Sequence, residues 1–383
     1  MNSGKGDSAQ CLVLQTVLWM LSVLGLIACN GQRGAEGALS ETGRCSCATL
    51  LRIVDEADGI SRVQVLDAWQ PGRVQRSYLL VPRGATVPAD SGSAVVLRIP
   101  VRRAVALGAV YVSLLRELGA EDCVKGLSDV GFVQDSLTRQ SVRSGKVTDV
   151  GSAMTPDVEK VVVLHPEVLL ASPLQNAGHG VWEKTGVPIV ECADYMEPSA
   201  LGRAEWMRFF GRLVGRKAAA DSLFACEVAR YDSLRALAAD VKRRPKLLVD
   251  RQDGGVWYVP GGESYLAEMY SAAGADYVFA SRPGGGSLPL SFEQVFAAGQ
   301  DADIWLVKYG LPQTLDYHGL VRENALYRQF RPFRQRKIFG CNTLYSAYYE
   351  EIPFHPSRLL HDFLRIFHPE LLPEEETHYY SPL

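Results

Sequence analysis

The sequence predicts an α/β protein: two Rossmann-like lobes with parallel sheets, joined by one long α-helix and preceded by a small N-terminal β extension. Three observations carry that expectation. Short apolar runs alternate with helical segments both before and after the middle of the chain, the pattern of parallel strands buried on both faces. Residues 199–242 contain no strand signal and interrupt the alternation. Residues 156–170 (PDVEKVVVLHPEVLL) and 290–306 (LSFEQVFAAGQDADIWL) share one layout: a turn residue, an apolar residue, a Glu, a short helix and then a buried strand. Glu159 and Glu293 thus fall at equivalent corners of two similar lobes. With 383 residues, 47% of them hydrophobic, the chain is long enough for both.

Taken in order, residues 1–28 read as a lipoprotein signal peptide. No charge occurs from Cys11 to Ala28, Lys5 precedes this run, and a polar, Gly-rich turn follows it. Leu26-Ile27-Ala28-Cys29 has the form of a bacterial lipobox, which makes Cys29 the expected lipidation site. The alternative is an uncleaved anchor, since about eighteen apolar residues lie at the lower edge of spanning length. Either way the body of the protein is expected in the cell envelope, lipid-anchored and facing the periplasm. Residues 29–48 read as a flexible tether and 49–100 as a β-rich extension, with strands at 63–69, 77–81 and 95–99 separated by Pro- and Gly-containing turns.

The N-terminal lobe is expected over 101–198, with strands at 104–107, 124–127, 168–171 and 188–192 and helices at 110–118 and 157–164. Residues 199–243 form the inter-lobe segment: a helix at 200–214, a break at Gly215, and a long helix from 217 to about 242. Phe224, Val228, Tyr231, Leu234, Ala238 and Val241 place an apolar stripe on that helix. Arg203, Glu205 and Trp206 open this segment and are expected to form a hinge-side ion pair. The C-terminal lobe, 244–383, has strands at 247–250, 256–259, 304–308 and 338–341 and helices at 264–273, 292–298 and 356–367.

Composition excludes several function classes. Forty Lys and Arg against 43 Asp and Glu give a net charge of -3, which implies no basic surface for nucleic acid. Cys45, Cys47, Cys123, Cys192, Cys226 and Cys341 are too scattered for a disulfide framework, and their pairing stays open. For Cys45 and Cys47, surface thiols or one distant disulfide is the favoured reading over a soft-metal site. The chain lacks G-x-S-x-G, H-E-x-x-H, C-x-x-C and a phosphate-binding loop; the Gly pair in VWYVPGGES has no accompanying Lys. No enzymatic activity is expected.

Several stretches, in order, resemble the periplasmic binding proteins of iron-chelate and cobalamin ABC importers: AVALGAVYVSLLRELGAEDCVKGLSD, VTDVGSAMTPDVEKVVVLHPEVLLAS, TGVPIVECADY, LVDRQDGGVWYVPGGESYLAEMYSAAGADYVF, SFEQVFAAGQDADIWLV and RLLHDFLRIFHPELLP. They span roughly residues 101–373. The β extension lies outside the general pattern and resembles lipoprotein forms of Bacteroidetes-like bacteria.

The resemblance implies a monomeric receptor that captures a ferric siderophore, haem or cobalamin in an inter-lobe cleft and delivers it to a permease dimer with its ATPase. It implies no permanently bound cofactor and only modest closure about the single helix. Glu159 and Glu293 match the residues that dock on the two permease subunits. Ligand is expected at loops following the strands, where Tyr111, Ser152, Met154, Trp257, Tyr258, Leu288, Tyr345 and Tyr349 lie; flat aromatic walls suit a large planar chelate. Whether a side chain ligates metal stays open, with Tyr111, His179 and Tyr345 as candidate axial ligands. His361 and His368, seven apart, share a helix face, and His368 reads as structural. A haem-binding lipoprotein or chelatase without a permease is the alternative.

Overall fold

The computed structural model describes residues 45–175 and 178–383; the expected signal peptide, Cys29 and most of the expected tether lie outside them. Four sheets organise the described residues. β1 (Leu51–Asp55), β2 (Ser61–Leu66), β3 (Val74–Pro82) and β4 (Val95–Ile99) form the extension sheet in that order, antiparallel except for the parallel β3–β4 pair. β5 (Ala104–Ala106), β6 (Val124–Leu127), β7 (Thr148–Asp149), β8 (Val168–Ala171) and β9 (Ile189–Glu191) make a parallel sheet in the order β7-β6-β5-β8-β9.

The second lobe repeats the scheme. β10 (Lys246–Val249), β13 (Asp276–Tyr277), β15 (Ile304–Tyr309), β16 (Ile338–Asn342) and β17 (Ser381–Pro382) run in the order β13-β10-β15-β16-β17, parallel except for β17. Between them β11 (Gln252–Asp253), β12 (Val256–Pro260) and β14 (Ser287–Leu290) form a separate antiparallel sheet. The strand at β12, expected within the alternating pattern, therefore belongs to this smaller sheet. Its Gly pair serves close packing. A Cβ on Gly261 would lie 2.1 Å from the Gly284 carbonyl oxygen, and one on Gly262 2.1 Å from that of Ala280.

The central segment differs from expectation in two places. The helix expected over 200–214 is two helices, Ala200–Glu205 and Met207–Leu213, divided at Trp206, whose buried indole N–H donates to Glu197 Oε1 at 2.9 Å. The long helix ends at Leu237, not near 242, and unwinds through (i, i−3) bonds from Ala238, Ala239 and Val241 before Pro245. Its 21 residues still span about 31 Å. That length matters because Ala220 and Phe224 belong to the N-terminal core, whereas Tyr231 and Ala238 belong to the C-terminal core. One rigid element is thus built into both lobes.

The extension is not an independent unit. Leu51, Val63, Tyr78, Leu80 and Leu97 share one core with Phe209, Phe210 and the N-terminal lobe. Tyr78 clamps β9, its hydroxyl donating to the Ile189 carbonyl at 3.0 Å and accepting from the Glu191 N–H at 2.8 Å. Two buried carboxylates hold the chain that leads into β1. Glu205 accepts from the N–H groups of Ser46, Cys47 and Ala48 at 3.1, 2.7 and 2.9 Å, and Glu197 from those of Thr49 and Leu50 at 2.8 and 2.9 Å. Residues 45–48 are therefore fixed, which corrects the tether reading at its C-terminal end. Cys45 is buried, and that burial pushes its thiol up to about 12, so it is not a surface thiol.

The lobes also meet through residues 350–357. Glu350 accepts from the N–H groups of Gln134 and Asp135 at 2.5 and 3.1 Å, and Phe354 packs edge-on against Phe210. His355 Nε2 lies 2.6 Å from Glu117 of the N-terminal lobe, and its Nδ1 lies 3.7 Å from Glu227 of the long helix. Burial, the largest influence, works against a charged His355, but the two carboxylates more than offset it and raise its pKa to about 9. The raised value means the contribution is fully present below pH about 6.5 and is lost as pH rises through about 9. Unfolding free energy should fall by up to about 3 kcal/mol over that window. His355→Gln should flatten this dependence in chemical denaturation; an equally steep slope in the variant would exclude His355 as its source.

Candidate ligand cleft and docking corners

In open α/β sheets, ligands bind beyond the carboxyl ends of the strands, where strand order reverses. Here those points are the ends of β5 and β8 in one lobe and of β10 and β15 in the other. Each has a charge pair beside it. Arg203 Nε lies 3.2 Å from Asp194 Oδ2, just past β9, and its guanidinium sits 5.1 Å from the ring of Tyr265 in the C-terminal lobe. Arg203 is thus a hinge-side ion pair, as expected, but with Asp194; Glu205 pairs with Arg208 at 2.8 Å instead. Burial raises the Asp194 pKa, and Arg203 opposes that shift. In the other lobe, Lys308 Nζ lies 2.7 Å from Asp250 Oδ1. Burial disfavours the Lys308 charge, yet Asp250 more than compensates and holds the ammonium above its usual range. Asp250 itself adopts φ +60°, an uncommon conformation for a residue other than Gly.

On the segments that follow β7, β10 and β16, apolar side chains stand open. Met154 is 76% exposed, Tyr258 50%, Tyr345 67% and Tyr349 62%. Asp129 holds the Met154 loop by accepting from the Ala153 N–H at 3.0 Å, and the Tyr345 hydroxyl donates to the Pro312 carbonyl at 3.1 Å. Ser152 is half-buried, and its hydroxyl accepts from the Met154 N–H at 3.2 Å. Leu288, expected on a loop, lies half-buried on β14 opposite Val259.

Two expected wall residues do not present a ring. Tyr111, 2% exposed, falls on the buried helical stripe with Leu114, Leu115 and Leu118; its ring stacks on Phe210 and its hydroxyl meets Ser172 Oγ at 3.0 Å. Trp257 is fully buried against Trp305, with its indole N–H on the Val249 carbonyl. The strand period is 2, so Trp257 and Tyr258 point to opposite faces and only Tyr258 can face outward. Burial likewise removes Tyr111 as an axial ligand, and His179 is engaged by Glu191 at 2.8 Å. Phe132 (76%) and Leu174 (47%), on loops after β6 and β8, were not anticipated. Their signal was position: each is a large apolar residue just beyond a strand's carboxyl end. A groove of about 680 Å³ lined by Val241, Ile304, Phe339 and Phe367 lies at the opposite, amino ends of β10, β15 and β16, away from the switch points.

The two corners match in topology. Glu159 stands in the first turn of the helix Val158–Val163, which leads into β8, the strand beside the lobe's first strand. Glu293 stands in the first turn of Phe292–Gly299, which leads into β15, the neighbour of β10. Both side chains are exposed. Asp157 caps the first helix, and a Ser291–Gln294 capping box starts the second. The Ser291 hydroxyl, and then Glu293's own N–H, hold the Glu293 carboxylate below its ordinary range.

Comparison with known proteins agrees with this architecture. The periplasmic heme-binding protein RhuT of Roseiflexus sp. RS-1 superposes with a TM-score of 0.57 at 23% identity, covering 71% of this chain and 99% of that one, which shows a common fold. An uncharacterized lipoprotein of Methanocaldococcus jannaschii is 25% identical over 298 residues, 74% of this chain and 69% of the relative. A cobalamin-binding protein of Halobacterium salinarum is 27% identical over 262 residues, 67% and 68% of the two chains. The family model described as periplasmic binding protein matches residues 105–343, which take in the first strand of one lobe, the long helix and the last parallel strand of the other, and by that match the chain belongs to the periplasmic binding protein family.

Proposed function

We propose that this chain is the lipid-anchored, monomeric receptor of an ABC importer for a metal chelate, a ferric siderophore, haem or cobalamin. The observation that supports the reading is a set of exposed apolar and aromatic side chains (Phe132, Met154, Tyr258, Tyr345, Tyr349) on segments that follow β6, β7, β10 and β16, with a buried ion pair in each lobe. Such a site suits a large ligand with hydrophobic faces whose metal is already coordinated. Among the described residues, the one group of three or more His, Cys, Asp or Glu side chains close enough to share an ion lies elsewhere, at the C-terminal tail. The similarity to a cobalamin-binding protein supports a chelate cargo, and the similarity to a lipoprotein supports acylation at Cys29. No helix among the described residues is long and apolar enough to cross a membrane. Glu159 and Glu293 are assigned to docking on the two permease subunits, with the permease's ATPase driving transfer. Ligand enters the cleft, the lobes close slightly about the long helix, and no bond is made or broken.

The rim assignment has a specific test. Removing the ring of Tyr258, Tyr345 or Tyr349 should each lower affinity for the bound chelate by about three- to tenfold in a spectral titration, leaving stability nearly unchanged. Trp257→Ala should instead cost about 3–5 kcal/mol of stability. Equal affinities in the three tyrosine variants and the parent would place the ligand elsewhere.

A further inference from the structure

The C-terminal tail lies against the last helix, Pro356–Phe367, through one buried carboxylate. Asp362 is fully buried; its Oδ1 accepts from the His378 N–H at 2.6 Å, and its Oδ2 accepts from the N–H groups of Tyr379 and Tyr380 at 2.7 and 3.1 Å. This fixes the His378 backbone beside the last helix, and the rings of His361 and His378 lie with centroids 5.2 Å apart. One donor atom from each of His361, Asp362 and His378 lies within 4.8 Å of the others.

The geometry around His361 gives this cluster its chemistry. His361 Nε2 lies 2.6 Å from Glu375 Oε2, while its Nδ1 is buried and has no hydrogen-bond partner. The nearest carboxylate oxygen to Nδ1, Asp362 Oδ1, is 3.7 Å away, beyond hydrogen-bonding distance. In the neutral imidazole, an Nε2 proton given to Glu375 would leave the Nδ1 lone pair directed toward Asp362, the arrangement by which outer carboxylates orient metal-bound imidazoles. Asp362 Oδ1 keeps a second lone pair. The exposed His378 side chain can move without disturbing the latch, which uses only its backbone N–H. Tetrahedral binding at about 2.1 Å needs donor atoms about 3.4 Å apart, so from a separation of 4.8 Å or less a closure of at most about 1.4 Å suffices.

We propose that His361, Asp362 and His378 bind a divalent transition ion of the Zn(II) class, with Glu375 as the outer partner of His361 and a fourth position open to water. Two imidazoles and one carboxylate match the borderline donors that such ions take. The ion would fasten residues 375–380 to the last helix, next to β17 at the edge of the C-terminal sheet. The site is separate from the cleft, so its test needs no chelate and stands apart from the transport reading.

Chelator-treated full-length protein should bind one Zn(II) in titration calorimetry, and Co(II) in its place should give a visible d–d spectrum. His378→Ala should weaken Zn(II) binding by at least about 100-fold without unfolding the chain, and Glu375→Gln should weaken it by about tenfold. Absence of saturable one-to-one binding, or equal affinity in the parent and His378→Ala, would overturn the assignment.

Discussion

Glu205→Ala is expected to lower unfolding free energy by about 3–5 kcal/mol, the cost of breaking a buried charge pair from one side. The substitution strips acceptors from the N–H groups of Ser46, Cys47 and Ala48 and leaves Arg208 with Asp221 alone among its carboxylate partners. The Ala48 N–H is buried and would be left without an acceptor, whereas Ser46 is exposed and its N–H can turn to water. The loss should shift Tm by on the order of 10 °C and make residues 45–50 the first site of limited proteolysis. Glu205→Gln, which is similar in shape but places an amide donor among donors, should recover only part of the loss. A change below about 1 kcal/mol for Glu205→Ala would show that the strap contributes little.

Charge reversal at both Glu159 and Glu293 should abolish uptake through the cognate permease while leaving chelate affinity and Tm nearly unchanged. Each carboxylate is exposed in the first turn of its helix, so folding loses only about 0.3–1 kcal/mol per site. In a docked complex, truncating a buried charge pair costs about 2–5 kcal/mol, and reversal adds repulsion. On the docking proposal, each single reversal should give an intermediate defect, because the other corner could still engage its subunit. Normal uptake by the double variant would remove the permease from the mechanism and favour a chelate-binding lipoprotein or chelatase acting alone.

Local pattern carried much of the architecture. Residues 95–99, 124–127 and 168–171 were bounded correctly from the sequence because these mostly apolar runs stop at Pro100, Ser128 and Ser172. β1 was missed, since LRIVD is short and mixes charges into its apolar residues. The break at Trp206 and the strap were illegible for a different reason. Glu205 and Glu197 act on residues almost 150 or more positions away, and no spacing rule marks such a bond. Of the expected wall residues, Met154, Tyr258, Tyr345 and Tyr349 are exposed, as contact with a ligand requires, whereas Tyr111 and Trp257 were misplaced, since both are buried. Both errors were avoidable: helical periodicity puts Tyr111 in the buried stripe, and strand alternation turns Trp257 away from Tyr258. Asp194, Asp250 and Lys308 were not legible, because each gains meaning only from a partner brought alongside by the fold.

The proposed chelate cargo is tested most directly by titrating the purified protein with haem, cobalamin and ferric siderophores while following visible absorption and Tm. A saturable spectral shift and a rise in Tm with one of these classes, both diminished by Tyr258→Ala, are the expected result. No spectral shift and no stabilisation with any of the three would contradict the account.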